Sequence, residues 1–158
     1  MRGVFTVTQK ITAITGVQTL MHIQAGANRP LELYRVAIPN PKNNTNDQLE
    51  VSVARSTAAS ASGGTTISQG QFFCPRHVNA AGDLDVSEAV VRYGSGITAG
   101  ATFFNLDYKA FSSLAGFVST YMPEEFPTIP QDNGLLITML GDAPSSELDL
   151  IVQVTWRE

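Results

Sequence analysis

The chain has one cysteine, two histidines and one tryptophan among 158 residues, and only 15% of its residues are charged. Each scarcity closes off a class of protein. Cys74 alone can form no internal disulfide, which argues against a small secreted scaffold and fits a protein made in a reducing interior. His22 and His77 lie far apart with no His-x-His pair, so a three-histidine metal centre cannot form within one chain. The ten Lys and Arg residues are scattered without a run of three, and the net charge is −4. Nucleic acid, whose phosphates demand clustered positive charge, is therefore not an expected partner. Nor is a membrane, because no stretch approaches the roughly 18–20 apolar residues of a spanning helix. The segment Met1 to Thr8 alternates like a strand and lacks the apolar core of a signal peptide. These features predict a soluble, intracellularly made protein.

What is present is the grammar of strands. From Leu148 to Trp156 the even positions are Leu148, Leu150, Val152, Val154 and Trp156, against Asp149, Ile151, Gln153 and Thr155. That period of two marks a strand with one face in a core. Similar patterns predict strands at Val4–Thr8, Thr19–Ala25, Leu31–Ile38, Leu49–Val53, Val86–Tyr93, Ala101–Lys109 and Leu135–Leu140. The last is apolar on both sides and is expected to be central. Tyr108, Phe111, Leu114 and Val118 also fall near helical spacing, which leaves a short helix open, although Gly116 and the serines weaken it. Thirteen Gly and eight Pro residues punctuate these runs. The pattern predicts an all-β sandwich or barrel of about eight to ten strands, as one domain over residues 1–158. A fold of this size hides roughly 68–70% of the surface of its unfolded chain, enough for a core without staples. Residues 56–79 are the exception. Ser56 to Thr66 has almost no large side chain, and the stretch exceeds the ~12–15 residues usual for an unstructured connection. It is expected to be an extended loop or arm.

Chemistry is sparse. Cys74 and His77 have a Cys-x-x-His spacing but no second pair to close a zinc site. His22 lies on the more polar face of its strand, where a solvated or hydrogen-bonded imidazole is expected. No serine occupies a Gly-x-Ser-x-Gly elbow, and no Gly-Lys-Ser/Thr follows Gly94-Ser95-Gly96. Glu124 and Glu125 sit between prolines, while Asp83 and Asp85 form only a short acidic pair. Asn43-Asn44-Thr45 matches a glycosylation sequon that is idle without a secretory route. We expect no enzyme, no catalytic or metal-ligating residues, and no cofactor. The positive signal is apolar material in poor places for a core: Phe72, Phe73, Phe117, Tyr121, Met122 and Phe126. Such residues close the ends of a sandwich or form an interface, where aromatics and Met are enriched.

The order and spacing of several landmarks between Leu31 and Glu158 resemble a family of small jelly-roll proteins encoded beside tailed-phage major capsid proteins. The landmarks are Ser62-Gly63-Gly64-Thr65-Thr66, Met122-Pro123-Glu124-Glu125, Gly134-Leu135-Leu136 and Val154-Thr155-Trp156-Arg157-Glu158. Phe72-Phe73-Cys74 is bulkier than that pattern leads one to expect. The resemblance implies a jelly-roll-like antiparallel β-sandwich acting as a capsid decoration, or cement, protein. It also implies a homotrimer on the outside of the virion, bound to the major capsid protein. In that reading the arm reaches the shell through Thr57, Gly63, Gly64, Thr65 and Thr66. A trimeric fibre tip or carbohydrate-binding module is the alternative, and it would need an exposed aromatic platform.

Overall fold

The computed structural model describes residues 3–39, 46–57, 61–67, 72, 87–99 and 103–158. Among them are eleven strands and one turn of 3-10 helix at Pro123–Glu125, with no α-helix. The strands are β1 (Val4–Ile14), β2 (Gln18–Gln24), β3 (Leu31–Ile38), β4 (Gln48–Ser56), β5 (Thr65–Ile67) and β6 (Val90–Tyr93). They continue with β7 (Phe103–Ser112), β8 (Phe117–Thr120), β9 (Thr128–Ile129), β10 (Gly134–Leu140) and β11 (Leu148–Arg157).

The pairing is nested. β1 pairs with β11, β2 with β10, β3 with β8 and β9, and β4 with β7, all antiparallel. Strands 1 to 4 alternate between two sheets, and the later strands retrace them, so the chain is one long hairpin rolled up on itself. One sheet has the order β1-β11-β3-β8, with β9 also on β3; the other has the order β5-β6-β2-β10-β4-β7. The protein is an all-β sandwich with jelly-roll connectivity. β5 and β6 extend the second sheet beyond β2.

The core is the facing pair of apolar stripes. On β11, Leu148, Leu150, Val152, Val154 and Trp156 all point inward and are buried, and Phe5 sits opposite Trp156 in the β1 register. From the other sheet come Met21, Ile23, Val51, Val53, Leu135 and Ile137. Each such side chain removed from water stabilises the fold by about 1.5–3 kcal/mol. β10 has a partner on either side, as its two apolar faces predict; its outward Leu136 is only 4% exposed.

Three expectations change in detail. β1 continues to Ile14, because a register irregularity and a positive φ at Ala13 return Ile14 to the core after the polar Lys10 and Thr12. The helical spacing of Tyr108, Phe111, Leu114 and Val118 produces no helix. Ala115 and Gly116 N–H groups both close on the Ser112 carbonyl, and Gly116 takes φ +68°, so the chain turns from β7 into β8. The described part of the 56–79 segment is tied into the second sheet. β5 pairs with β6, Ser62 and Thr98 exchange backbone hydrogen bonds of 3.0 and 2.9 Å, and Arg92 donates to the Gly63 carbonyl at 3.1 Å. Gly63 and Gly64 make this approach possible. Both have positive φ, and a Cβ on Gly63 would lie 2.0 Å from the Gly96 carbonyl oxygen.

Candidate interaction surface

β7 and β8 are edge strands of different sheets, and the gap between them is closed by side chains from both. Phe111 meets Phe117 with ring centroids 5.0 Å apart. Asp107 on β7 accepts from Ser119 Oγ on β8 at 2.7 Å and more distantly from Tyr121 Oη at 3.4 Å. Its other oxygen lies 3.2 Å from Lys109 Nζ. Partial burial works to raise the Asp107 pKa, but hydrogen bonds from Ser119 and Lys109 and the lysine's charge outweigh it, so the carboxyl is held below its usual range. Burial, with help from the Asp107 charge, pushes the Tyr121 phenol up to about 12. The clasp is ionised at one end and neutral at the other, which suits a fixed structural contact.

Beside this clasp several apolar side chains are exposed. Phe104, Tyr108, Leu114, Val118 and Met122 are 43–64% exposed and all lie between positions 104 and 122. The other large exposed apolar side chain among the described residues is Val17, in the β1–β2 turn. Arg55 lies over the Phe104 ring at 5.2 Å, and the Tyr108 hydroxyl donates to the Glu50 carboxylate.

The sequence candidates are distributed unevenly. Met122 is fully on the rim, just before the exposed turn Pro123–Glu125. Phe117 and Tyr121 are half-buried and pack on the core. Phe126 stacks edge-on against Tyr34 at 4.1 Å. Phe72 is 9% exposed and meets Trp156 edge-on at 5.4 Å, so its ring belongs to the core. Thr57, Gly63, Gly64, Thr65 and Thr66 are exposed. Phe73, Cys74, His77, Asp83, Asp85 and the 43–45 sequon lie outside the described residues. The sequence reading missed Phe104, Tyr108 and Val118 as surface residues. Their strand pattern was visible, but alternation alone does not reveal which strand ends at a sheet edge.

His22 departs from expectation. It is 1% exposed, and among the described residues neither ring nitrogen has a hydrogen-bond partner. It stands in register between Arg92 on β6 and Leu136 on β10, and a Cβ on Gly134 would come within 2.3 Å of Nε2. The glycine leaves the space that the ring fills. Burial, and secondarily the Arg92 charge, lower its pKa from 6.5 to about 4, so the ring is neutral at pH 7.

A recess of about 210 Å³ on the outer face of the six-stranded sheet is lined by Thr19, Ser52, Ala54, Asn105, Leu136 and Thr138, among others. Its hydroxyls are engaged with neighbours: Ser52 donates to Asn105 at 3.0 Å, and the Thr19 and Thr138 hydroxyls are 3.4 Å apart. No group of three or more His, Cys, Asp or Glu among the described residues is placed to hold a metal ion. No helix among them is long and apolar enough to cross a membrane. Comparison with protein families, curated proteins and solved structures finds no match to this chain. Trp156 is 0% exposed between Phe5 and Phe72 and cannot serve as a sugar-stacking platform.

Proposed function

We propose that this protein is a capsid decoration, or cement, protein that binds the outside of a phage shell and bridges its subunits. The observation that carries the proposal is the rim. Five exposed apolar side chains fall between positions 104 and 122, on the edge strands β7 and β8 and the connections that follow them, and exposed apolar side chains of this kind suit contact with another polypeptide. Support also comes from the resemblance, in order and spacing of landmarks, to jelly-roll decoration proteins. Two of them, Ser62–Thr66 and Met122–Glu125, are exposed.

In this mechanism Val118, Met122 and the proline-led turn behind them make the shell contact. A specific contact of ordinary size covers roughly 1,200–2,000 Å² in total. Each contact can be modest, since a particle held at several points rebinds from a high effective concentration. Stabilisation of the shell then follows from mass action: whatever binds the assembled form and not its dissociated subunits raises the assembled form's stability. The test is the melting temperature of purified shells with and without saturating protein. A rise is expected with wild-type protein and a smaller one with Met122→Asp. An unchanged melting temperature with wild-type protein contradicts the proposal.

A further inference from the structure

We propose that the seam between β2 and β6 is an acid-sensitive latch, in which protonation of His22 beside Arg92 frees β6 and the β5 corner it carries while the rolled hairpin stays closed. The latch does not rest on the capsid proposal. His22 is 1% exposed, and neither ring nitrogen has a hydrogen-bond partner among the described residues. A polar ring buried in this way is tolerated while neutral, whereas a buried charge needs a partner. Across the seam on β6, Arg92 stands in register with His22 and donates to the Gly63 carbonyl at 3.1 Å. No carboxylate among the described residues pairs with it. On the other side β10 offers Gly134 and Leu136, and β2 itself has no second titratable side chain. Thr66 of β5 lies opposite Arg92. Glu88, ahead of β6, is engaged by Asn28 N at 3.2 Å and by Arg29 at 3.6 Å. A proton on the imidazole therefore faces a second cation and no acid.

Topology sets which side yields. β10 is held from both sides, by β2 along Gln18–Gln24 and by β4. β6 meets β2 only along Met21 to Gln24, and beyond it β5 pairs with β6 alone among the described residues. Parting β6 from β2 separates the two cations and admits water to the ring, with the β1–β11 and β2–β10 ladders left intact. The arm has a fixed root, where Glu158 accepts from the Glu88 and Ala89 amides. At neutral pH the burial of Val91 and Ile67 keeps the seam shut. Burial first, and then the Arg92 charge, lower the ring's pKa from 6.5 to about 4 in the closed form, so opening takes up a proton. Opening is favoured progressively as the pH falls from 6.5 to about 4.

Amide hydrogen exchange at two pH values, expressed as protection relative to the unfolded chain, tests this. Between pH 7 and 4.5, protection at Val90–Tyr93 and Thr65–Ile67 is expected to fall on the order of fiftyfold. Global unfolding shares that linkage, so the location is read from the order of opening. β5 and β6 amides are expected to be less protected than those of β10 and β11 at both pH values. His22→Gln and His22→Leu leave Arg92 and Glu158 in place and are expected to abolish the fall. Near-ultraviolet circular dichroism selects the variant that keeps the fold, and if neither does, the order of opening in the wild type decides. Equal protection of β6 and β11 overturns the proposal. So does protection at β5 and β6 that does not fall with pH, or a fall that persists in a folded His22 variant.

Discussion

Two buried polar residues in this β-sandwich set its chemistry at the smallest scale. Glu158 is 5% exposed, yet its carboxylate is fully engaged. It accepts from the Ser87 hydroxyl, Trp156 Nε1 at 3.1 Å, Glu88 N at 2.7 Å and Ala89 N at 3.2 Å. One side chain thereby satisfies donors on a chain segment about seventy positions away and holds the indole N–H of the buried Trp156. Glu158→Ala leaves those donors buried without acceptors, and we expect a loss of about 3 kcal/mol in urea unfolding; a loss under about 1 kcal/mol contradicts this role. His22 contributes with the opposite sign of pH dependence from a salt-bridged histidine. Its pKa is lowered in the fold, so the unfolded chain binds the extra proton between pH 6.5 and about 4. The neutral ring's contribution is complete above 6.5 and is lost as the pH falls through that window, by up to about 3 kcal/mol. Asp107 and Asp149 are held below their usual value of 3.8, so their contributions persist until lower pH and the two effects separate. His22→Leu is expected to flatten the stability profile between pH 6.5 and 4. A wild-type slope retained in that variant would assign the effect elsewhere.

The strands themselves were largely written in the alternation of side chains. Leu31–Ile38 and the final strand were predicted to within a residue, and the doubly apolar Leu135–Leu140 correctly marked an interior strand. Alternation reports which face is buried, and so it found the core stripe ending at Trp156. It does not report lateral neighbours. The exposed edges of β7 and β8 were therefore hidden, and Phe72, which looked like spare surface, proved to be core. His22 was misjudged for the same reason: the outward face of β2 is covered, which no local pattern announces. Composition also misled between positions 61 and 67. Small residues suggested a free arm, whereas their smallness lets Gly63 and Gly64 pass close to Gly96 and Ile97 so that β5 can pair with β6. Gly64→Val places a β-branched side chain at φ +63° and against Ile97 Cγ1. Faster hydrogen exchange at Thr65–Ile67 is expected, with the β11 amides unaffected, because β5 is an added edge and not part of the rolled hairpin. Equal protection of β5 in the variant and the wild type would show that the glycines are not required.

At the scale of the whole molecule, nesting of the hairpin sets where the described apolar residues go. β1 with β11 and β2 with β10 join the two ends of the chain in sequence, and their inward apolar residues fill the space between the sheets. What remains exposed includes Val118 and Met122, which the proposal assigns to a shell. A sandwich whose two sheets are clasped by Asp107, Ser119 and Tyr121 presents that rim without rearrangement. Preformed surfaces of this kind bind with little ordering cost. The most direct measurement is sedimentation of purified capsid shells through a cushion with increasing amounts of this protein. Saturable co-sedimentation at a fixed number of copies per shell, competed by unlabelled protein, is the predicted result. Protein that stays in the supernatant at every concentration, beside intact shells, contradicts the account.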